Sequence, residues 1–303
     1  MDVLSDWLRS LDTRGVLLAR SRLIAPWGVS IGASQDCTFH LLTQGKCWLR
    51  RGKKAPLEMG AGDFVLLRDG EAHDLVHAPD GIAEPLEKVI ARREQRGRGP
   101  RTTLICGAYR GGHPQQFPLM RSLPPLLHFR ATEVADDAAL SALVKLLSEE
   151  VEQPGPGAEA LLPSLFDALL LYTLRLWGRQ QCSQNRWMAG LQDPALSLAL
   201  QQIHSAPEAD WTVEGLAQSA GLSRAVFAKR FSEAFGEAPL TYLTNWRMQL
   251  AAKRFATGAP SLVEVATQLG YQSEFSFSRA FKRRWGVAPS IYRKQAQQKS
   301  SMV

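Results

Sequence analysis

Residues 212–242 read TVEGLAQSAGLSRAVFAKRFSEAFGEAPLTY, and residues 261–292 read SLVEVATQLGYQSEFSFSRAFKRRWGVAPSIY. The second stretch repeats the first. Ala217, Gly221, Phe231, Gly236, Pro239 and Tyr242 have counterparts in Ala266, Gly270, Phe281, Gly286, Pro289 and Tyr292. The first two pairs are 49 residues apart and the last four 50, because the second turn is one residue longer. Self-similarity at one period means one structural unit used twice.

The unit is physically legible. Thr212 is placed to cap a short helix whose Val213, Leu216 and Ala217 face inward. Gly221 supplies a turn with positive φ. Ser223 then caps a second helix anchored by Val226, Phe227 and Phe231, which leaves Arg224, Ala225, Ala228 and Lys229 outward. In the second copy Val265, Ala266 and Leu269 form the first helix, Gly270 turns the chain and Ser273 caps the next. There Phe277 and Phe281 face inward, and Glu274, Phe275, Ser276, Ser278 and Arg279 outward. Helix, glycine turn and helix of this size is the helix-turn-helix motif, whose second helix enters the DNA major groove. Between the copies, Leu240–Thr257 holds no Gly or Pro and reads as one spacer helix.

Charge agrees. The net charge is +7 over 303 residues. From Pro194 to Val303 there are 13 Lys and Arg against 7 Asp and Glu, a surplus of six, and no acid follows Glu274. A clustered basic patch is the footprint of a nucleic-acid binder, although alone it would equally suit a solvated helix face. The N-terminus lacks a signal-type apolar core, and the most apolar stretch, Ala160–Trp177, holds Pro163, Asp167 and Arg175. It reads as a buried helix rather than a membrane span. Four cysteines in a chain read as cytoplasmic do not suggest a disulfide framework.

Outward from the repeat, the chain divides into residues 1–134, 135–193 and 194–303. Residues 1 to about 20 carry a short amphipathic helix (Val3, Leu4, Trp7, Leu8, Leu11) and a turn at Gly15. Short apolar runs then follow at Cys37–Leu42, Cys47–Arg50, Asp63–Leu67, Leu75–His77 and Thr102–Cys106, the pattern of an antiparallel β-barrel or sandwich. Pro85–Arg101, with Arg92, Arg93, Arg96, Arg98 and Arg101, reads as a solvated loop. Leu140, Leu143, Val144, Leu147 and Val151 lie on one helix face, Pro154–Gly157 makes a turn, and a second helix covers about 158–181. This helical hairpin has more apolar surface than a small barrel needs, so it is either a dimer seam or packs on the barrel. Gln180–Asp193 is polar and reads as a linker.

The segments Ala220–Arg224, Trp246-Arg247-Met248, Leu269-Gly270-Tyr271, Phe277–Lys282, Gly286–Pro289 and Tyr292-Arg293 together resemble the AraC/XylS DNA-binding domain over about residues 195–294. Phe39–Gly45, Leu57–Leu67 and Gly70–Leu75 resemble the cupin sensor found in part of that family. The expected fold is therefore multidomain α+β: an N-terminal cupin-like antiparallel barrel with a helical hairpin, then an all-α domain with two helix-turn-helix units. The resemblance implies a homodimeric transcription regulator, commonly an activator, that binds promoter DNA, contacts RNA polymerase and answers a small molecule or an oxidant. It implies no enzyme activity, cofactor or membrane.

The resemblance places base-facing positions at Ala225, Ala228 and Lys229, and at Glu274, Phe275, Ser278 and Arg279. Arg279 could donate two hydrogen bonds to guanine, and Glu274 could accept from cytosine or serve as a helix-start acid. Arg224, Arg230, Arg247, Lys282 and Arg283 are phosphate contacts or surface charges. In the sensor half, His40, His73 and His77 are the metal-ligand candidates, and they lack the His-x-His pair of metal-binding cupins. A cupin metalloenzyme with an accessory helical DNA-binding domain is the alternative reading. Cys37 and Cys47 flank a turn and, if residues 42 and 47 pair, lie too far apart to bridge. Cys106 is the first thiol to test as an oxidant sensor.

Overall fold

In the computed structural model, residues 3–10, 14–91, 98–110, 118–180, 186–258 and 261–300 are described. The chain forms two compact units, Thr13–Gln180 and Met1–Asp12 together with Gln181–Val303.

The first unit is built on two five-stranded sheets. One has the order β1 (Arg14–Ile24), β9 (Arg101–Arg110), β3 (Cys37–Gln44), β6 (Phe64–Leu67), β10 (Leu126–Phe129). The other runs β5 (Leu57–Gly60), β4 (Lys46–Arg50), β7 (His73–Val76), β2 (Gly28–Ile31), β8 (Glu84–Pro85). All pairings are antiparallel except the short β2–β8 contact. Leu42, Val65 and Leu104 from the first sheet share a core with Val29, Leu49, Met59 and Leu75 from the second. The turn before β6 uses Gly62 at φ +92°, and Asp63 ties it down. The Asp63 carboxylate accepts from the backbone N–H of Gly60 (3.0 Å) and of Ala131 (2.8 Å).

Strand β3 is buried on both faces, because successive side chains point to opposite sides of a sheet. His40 and Leu42 face the space between the sheets. Phe39 faces the other way and meets Phe166 of α6 (Ala158–Gln180), with ring centroids 5.2 Å apart. The Tyr109 hydroxyl donates to the Phe166 carbonyl at 2.7 Å. The hairpin of α5 (Ala138–Glu152) and α6 therefore packs on the sheet and shares its compact unit. By length and composition α6 could cross a membrane, yet Leu165, Phe166, Leu169, Leu170 and Leu174 are buried.

Several expectations need correction. Gly15 is not a turn: it lies within β1, where a side chain would collide with Phe166. The interruption before β9 is partly helical, as α2 (Leu86–Ala91), since Leu86 and Val89 pack on the core one turn apart. Arg92, Arg93 and Arg96 lie outside the described residues, as does Leu11. The stretch expected as a linker contains α7 (Arg186–Gln192), whose Trp187 is buried against Phe235. Helix α1 (Val3–Ser10) belongs to the second unit, where it packs on α8 (Pro194–Ser205) and α11 (Pro239–Ala256). The Gln249 amide donates to the Ser10 carbonyl at 2.7 Å. The division at residues 134 and 193 follows the change of hydrophobic period and the polar stretch after the hairpin, local signals that are blind to such packing.

Candidate nucleic-acid interface and sensor core

The second unit carries the repeat as two helix pairs. α9 (Val213–Ser219) and α10 (Arg224–Phe235) form the first; α12 (Leu262–Gln268) and α13 (Glu274–Trp285) form the second. The Thr212 hydroxyl accepts from the Gly215 N–H at 3.0 Å, and Ser273 accepts from the Ser276 N–H at 3.2 Å. Gly221 and Gly270 take φ values of +67° and +76°, and Gly236 and Gly286 close α10 and α13 in the left-handed conformation.

Each pair has its own aromatic core. Phe227, Phe231 and Phe235 cluster with Tyr242, and Phe277 and Phe281 cluster with Phe255, Trp285 and Tyr292. Helix α11 serves both, offering Tyr242, Leu243 and Trp246 early and Met248, Ala251 and Phe255 later. The same two buried phenylalanines thus roll α10 and α13 to the same orientation. Arg224, Ala225, Val226 and Lys229 are exposed on one, and Glu274, Phe275, Ser276 and Arg279 on the other, while Ala228 and Ser278 are half-buried. Val226 was expected to anchor α10, but it is 46% exposed and belongs to the outer face.

The exposed groups are not equally available. The Ser276 hydroxyl donates to the Ser273 carbonyl at 2.8 Å, so it is spent on the helix cap. Arg224 lies 4.0 Å from Glu214, and Arg230 pairs with Asp193, the N-cap of α8. Lys282 and Arg283 are exposed. Arg247 is half-buried and donates to the Pro207 carbonyl (2.5 Å) and the Ala209 carbonyl (2.9 Å), with its guanidinium 5.6 Å from the Tyr271 ring. These bonds make it a staple between the α8–α9 connection and the second helix pair, a role its place in the sequence motif did not reveal.

The chain matches the Cupin family model over residues 2–179 and the Helix-turn-helix domain model over residues 216–295. It is 34% identical to an AraC-like transcription regulator of Streptomyces lividans, over 97% of this chain and 98% of that one. It is 31% identical to the RCS-specific HTH-type transcriptional activator RclR of Escherichia coli, over 98% and 99%. The chain belongs to the AraC family of transcription regulators. Among solved structures, the DNA-binding domain of AdpA in complex with a target DNA is 31% identical, covering 35% of this chain and 96% of that one at TM-score 0.33.

In this AraC-family regulator the C-terminal helix pairs are a DNA-binding domain, and the N-terminal cupin holds a buried polar relay. The Cys106 thiol lies 3.0 Å from His40 Nδ1, His40 Nε2 lies 2.8 Å from His73 Nε2, and His73 Nδ1 lies 2.8 Å from the Glu71 carbonyl. The bonding pattern assigns the protons. A carbonyl only accepts, so His73 Nδ1 carries hydrogen and its Nε2 is bare. His40 then donates through Nε2, and its Nδ1 accepts from the thiol. Burial keeps all three neutral: it holds His40 and His73 below their usual range and pushes Cys106 up to about 12.

The other sensor candidates fall apart in space. His77 bonds the Trp27 backbone instead of joining His40 and His73. Among the described residues no three ligating groups converge on a common point. Cys37 and Cys47 do not flank a hairpin, because β3 pairs with β6 and β9 while β4 lies in the other sheet. Cys37 sits on the α6 side of β3, opposite Tyr109 in the register, whereas Cys47 joins Cys106 in the inter-sheet core. Cys37, Cys47 and Cys106 are free thiols.

Proposed function

We propose that the protein is a cytoplasmic, homodimeric transcription activator that reads a specific promoter site through α10 and α13 and takes its signal in the cupin domain. The observation carrying this reading is the matched roll of the two helices, each holding its outward residues clear of an aromatic core. Arg279, Glu274, Ser278 and Phe275 supply readout on α13. On α10, Ala225, Val226 and Ala228 leave Lys229 as the polar reader, so that half positions more than it specifies. Arg224, Lys282 and Arg283 neutralise phosphates. Leu146 and Leu161, exposed on the hairpin, supply the dimer seam. RNA polymerase is the further partner.

Of the three described thiols, Cys106 is the one wired to other polar groups, which favours it as the oxidant-responsive residue. Oxidation consumes the S–H that donates to His40 Nδ1, while the His40 Nε2–His73 Nε2 bond stays in place. The alternative, a metalloenzyme, finds no support in His40 and His73, whose nitrogens are spent on each other, on Cys106 and on Glu71.

The test is selection of bound fragments from genomic DNA, then titration of wild type and Arg279→Ala on the recovered site. One enriched site, on which Arg279→Ala loses about 1–3 kcal/mol but little on random DNA, is expected. Equal binding to every sequence by reduced, oxidised and Cys106→Ser protein alike would overturn the reading.

A further inference from the structure

Helix α13 exposes a phenylalanine in the first turn of its reading face. Phe275 is 71% exposed, while Phe277 and Phe281 are fully buried. A lone exposed apolar side chain needs no explanation by itself. Here a second group is organised on it: the Arg279 guanidinium lies 5.7 Å from the centre of its ring. Residues four apart share a helix face, and the ring offers a cation its negative face. Arg279 is therefore held by a platform and reaches outward from it. The repeat makes the contrast plain, because the equivalent positions on α10 are Ala225 and Lys229, which have no such platform.

Resting on the DNA-reading role proposed above, we infer that Phe275 and Arg279 act as one reader for a thymine beside a guanine, the ring meeting the thymine C5-methyl while the guanidinium bonds the guanine edge. The chemistry is complementary in the major groove, where thymine presents its methyl and guanine its O6 and N7 acceptors. The dimensions agree. Successive base pairs rise about 3.4 Å, which two groups 5.7 Å apart can span when they serve neighbouring pairs. The other outward groups do not compete for these positions. Ser276 is spent on its cap, and Glu274 is an acceptor that suits neither the methyl nor O6. A phosphate contact would use the arginine but gives the ring nothing to meet.

The experiment uses the full-length protein and the operator recovered by selection. Each thymine is replaced in turn by deoxyuridine, which removes only the methyl group, and the dissociation constant is measured for wild type and Phe275→Ala. One substitution beside a guanine should weaken wild-type binding by about fourfold, the value of one buried methyl, and should have less than a twofold effect on Phe275→Ala. At that position a 5-methylcytosine pair should bind wild type more tightly than a cytosine pair, and Phe275→Ala should not distinguish them. The inference is overturned if no thymine responds, or if the response survives in Phe275→Ala. It is overturned equally if Phe275→Ala binds the operator normally but no longer supports transcription, which would assign the ring to a protein partner. Failure to recover any operator would instead defeat the DNA-reading role itself.

Discussion

Gly270 shows how much a single position can hold. Its φ of +76° is the left-handed region that costs an ordinary residue about 1–2 kcal/mol, and a β-carbon there would collide with the Glu208 carbonyl. Gly221 has a similar φ of +67° and open space around it. Gly270→Ala should therefore destabilise the C-terminal unit by about 2–4 kcal/mol and Gly221→Ala by about half as much, in urea denaturation followed by tryptophan fluorescence. Equal losses would show that the Glu208 backbone yields. Both glycines were legible as turns from the repeat alone. The Glu208 contact was not, since it joins residues 62 positions apart. The same limit explains Arg247 and Val226. The motif marked the positions, but only packing showed that Arg247 is committed to two carbonyls and that Val226 faces solvent.

The helices of the C-terminal unit meet around His204. This side chain of α8 stacks on Trp246 of α11 at 4.0 Å, bonds the Tyr242 hydroxyl at 2.9 Å and lies 3.9 Å from Asp6 of α1. Burial outweighs the nearby carboxylate and lowers its pKa to about 3. An unfolded histidine titrates near 6.5, so below that pH the unfolded chain binds the extra proton. Stability is then full above about pH 6.5 and is lost as pH falls towards 3, by about 2 kcal/mol between pH 7 and 5. His204→Phe, which keeps the stack, should flatten this slope in the Trp fluorescence transition. An unchanged slope would place the proton elsewhere. The strands around residues 37–67 and the hairpin at 138–180 were visible as apolar periodicities. β1, α2 and α7 were not, because each draws its apolar partners from distant segments: Phe166 for β1, the inter-sheet core for α2, Phe235 for α7.

The protein joins a cupin with a neutral, buried polar relay to a basic DNA-binding unit. Since phosphate neutralisation is independent of sequence, Lys282→Ala should weaken binding about equally on all DNA and reduce the slope of log affinity against log salt by about one. A loss confined to the selected operator would move Lys282 into base readout. The amino-acid sequence by itself determined the two-part plan, the repeated helix pair, its turns and the outward face of α13, because these rest on local rules: capping, helical period, glycine conformation and charge. Tertiary structure alone decided that Cys106, His40 and His73 form one relay, that Cys37 lies on the far face of β3, and that α1 packs with the reading unit. Those relations depend on which strands pair and which apolar faces meet, and long-range pairing is set by burial summed over the whole chain.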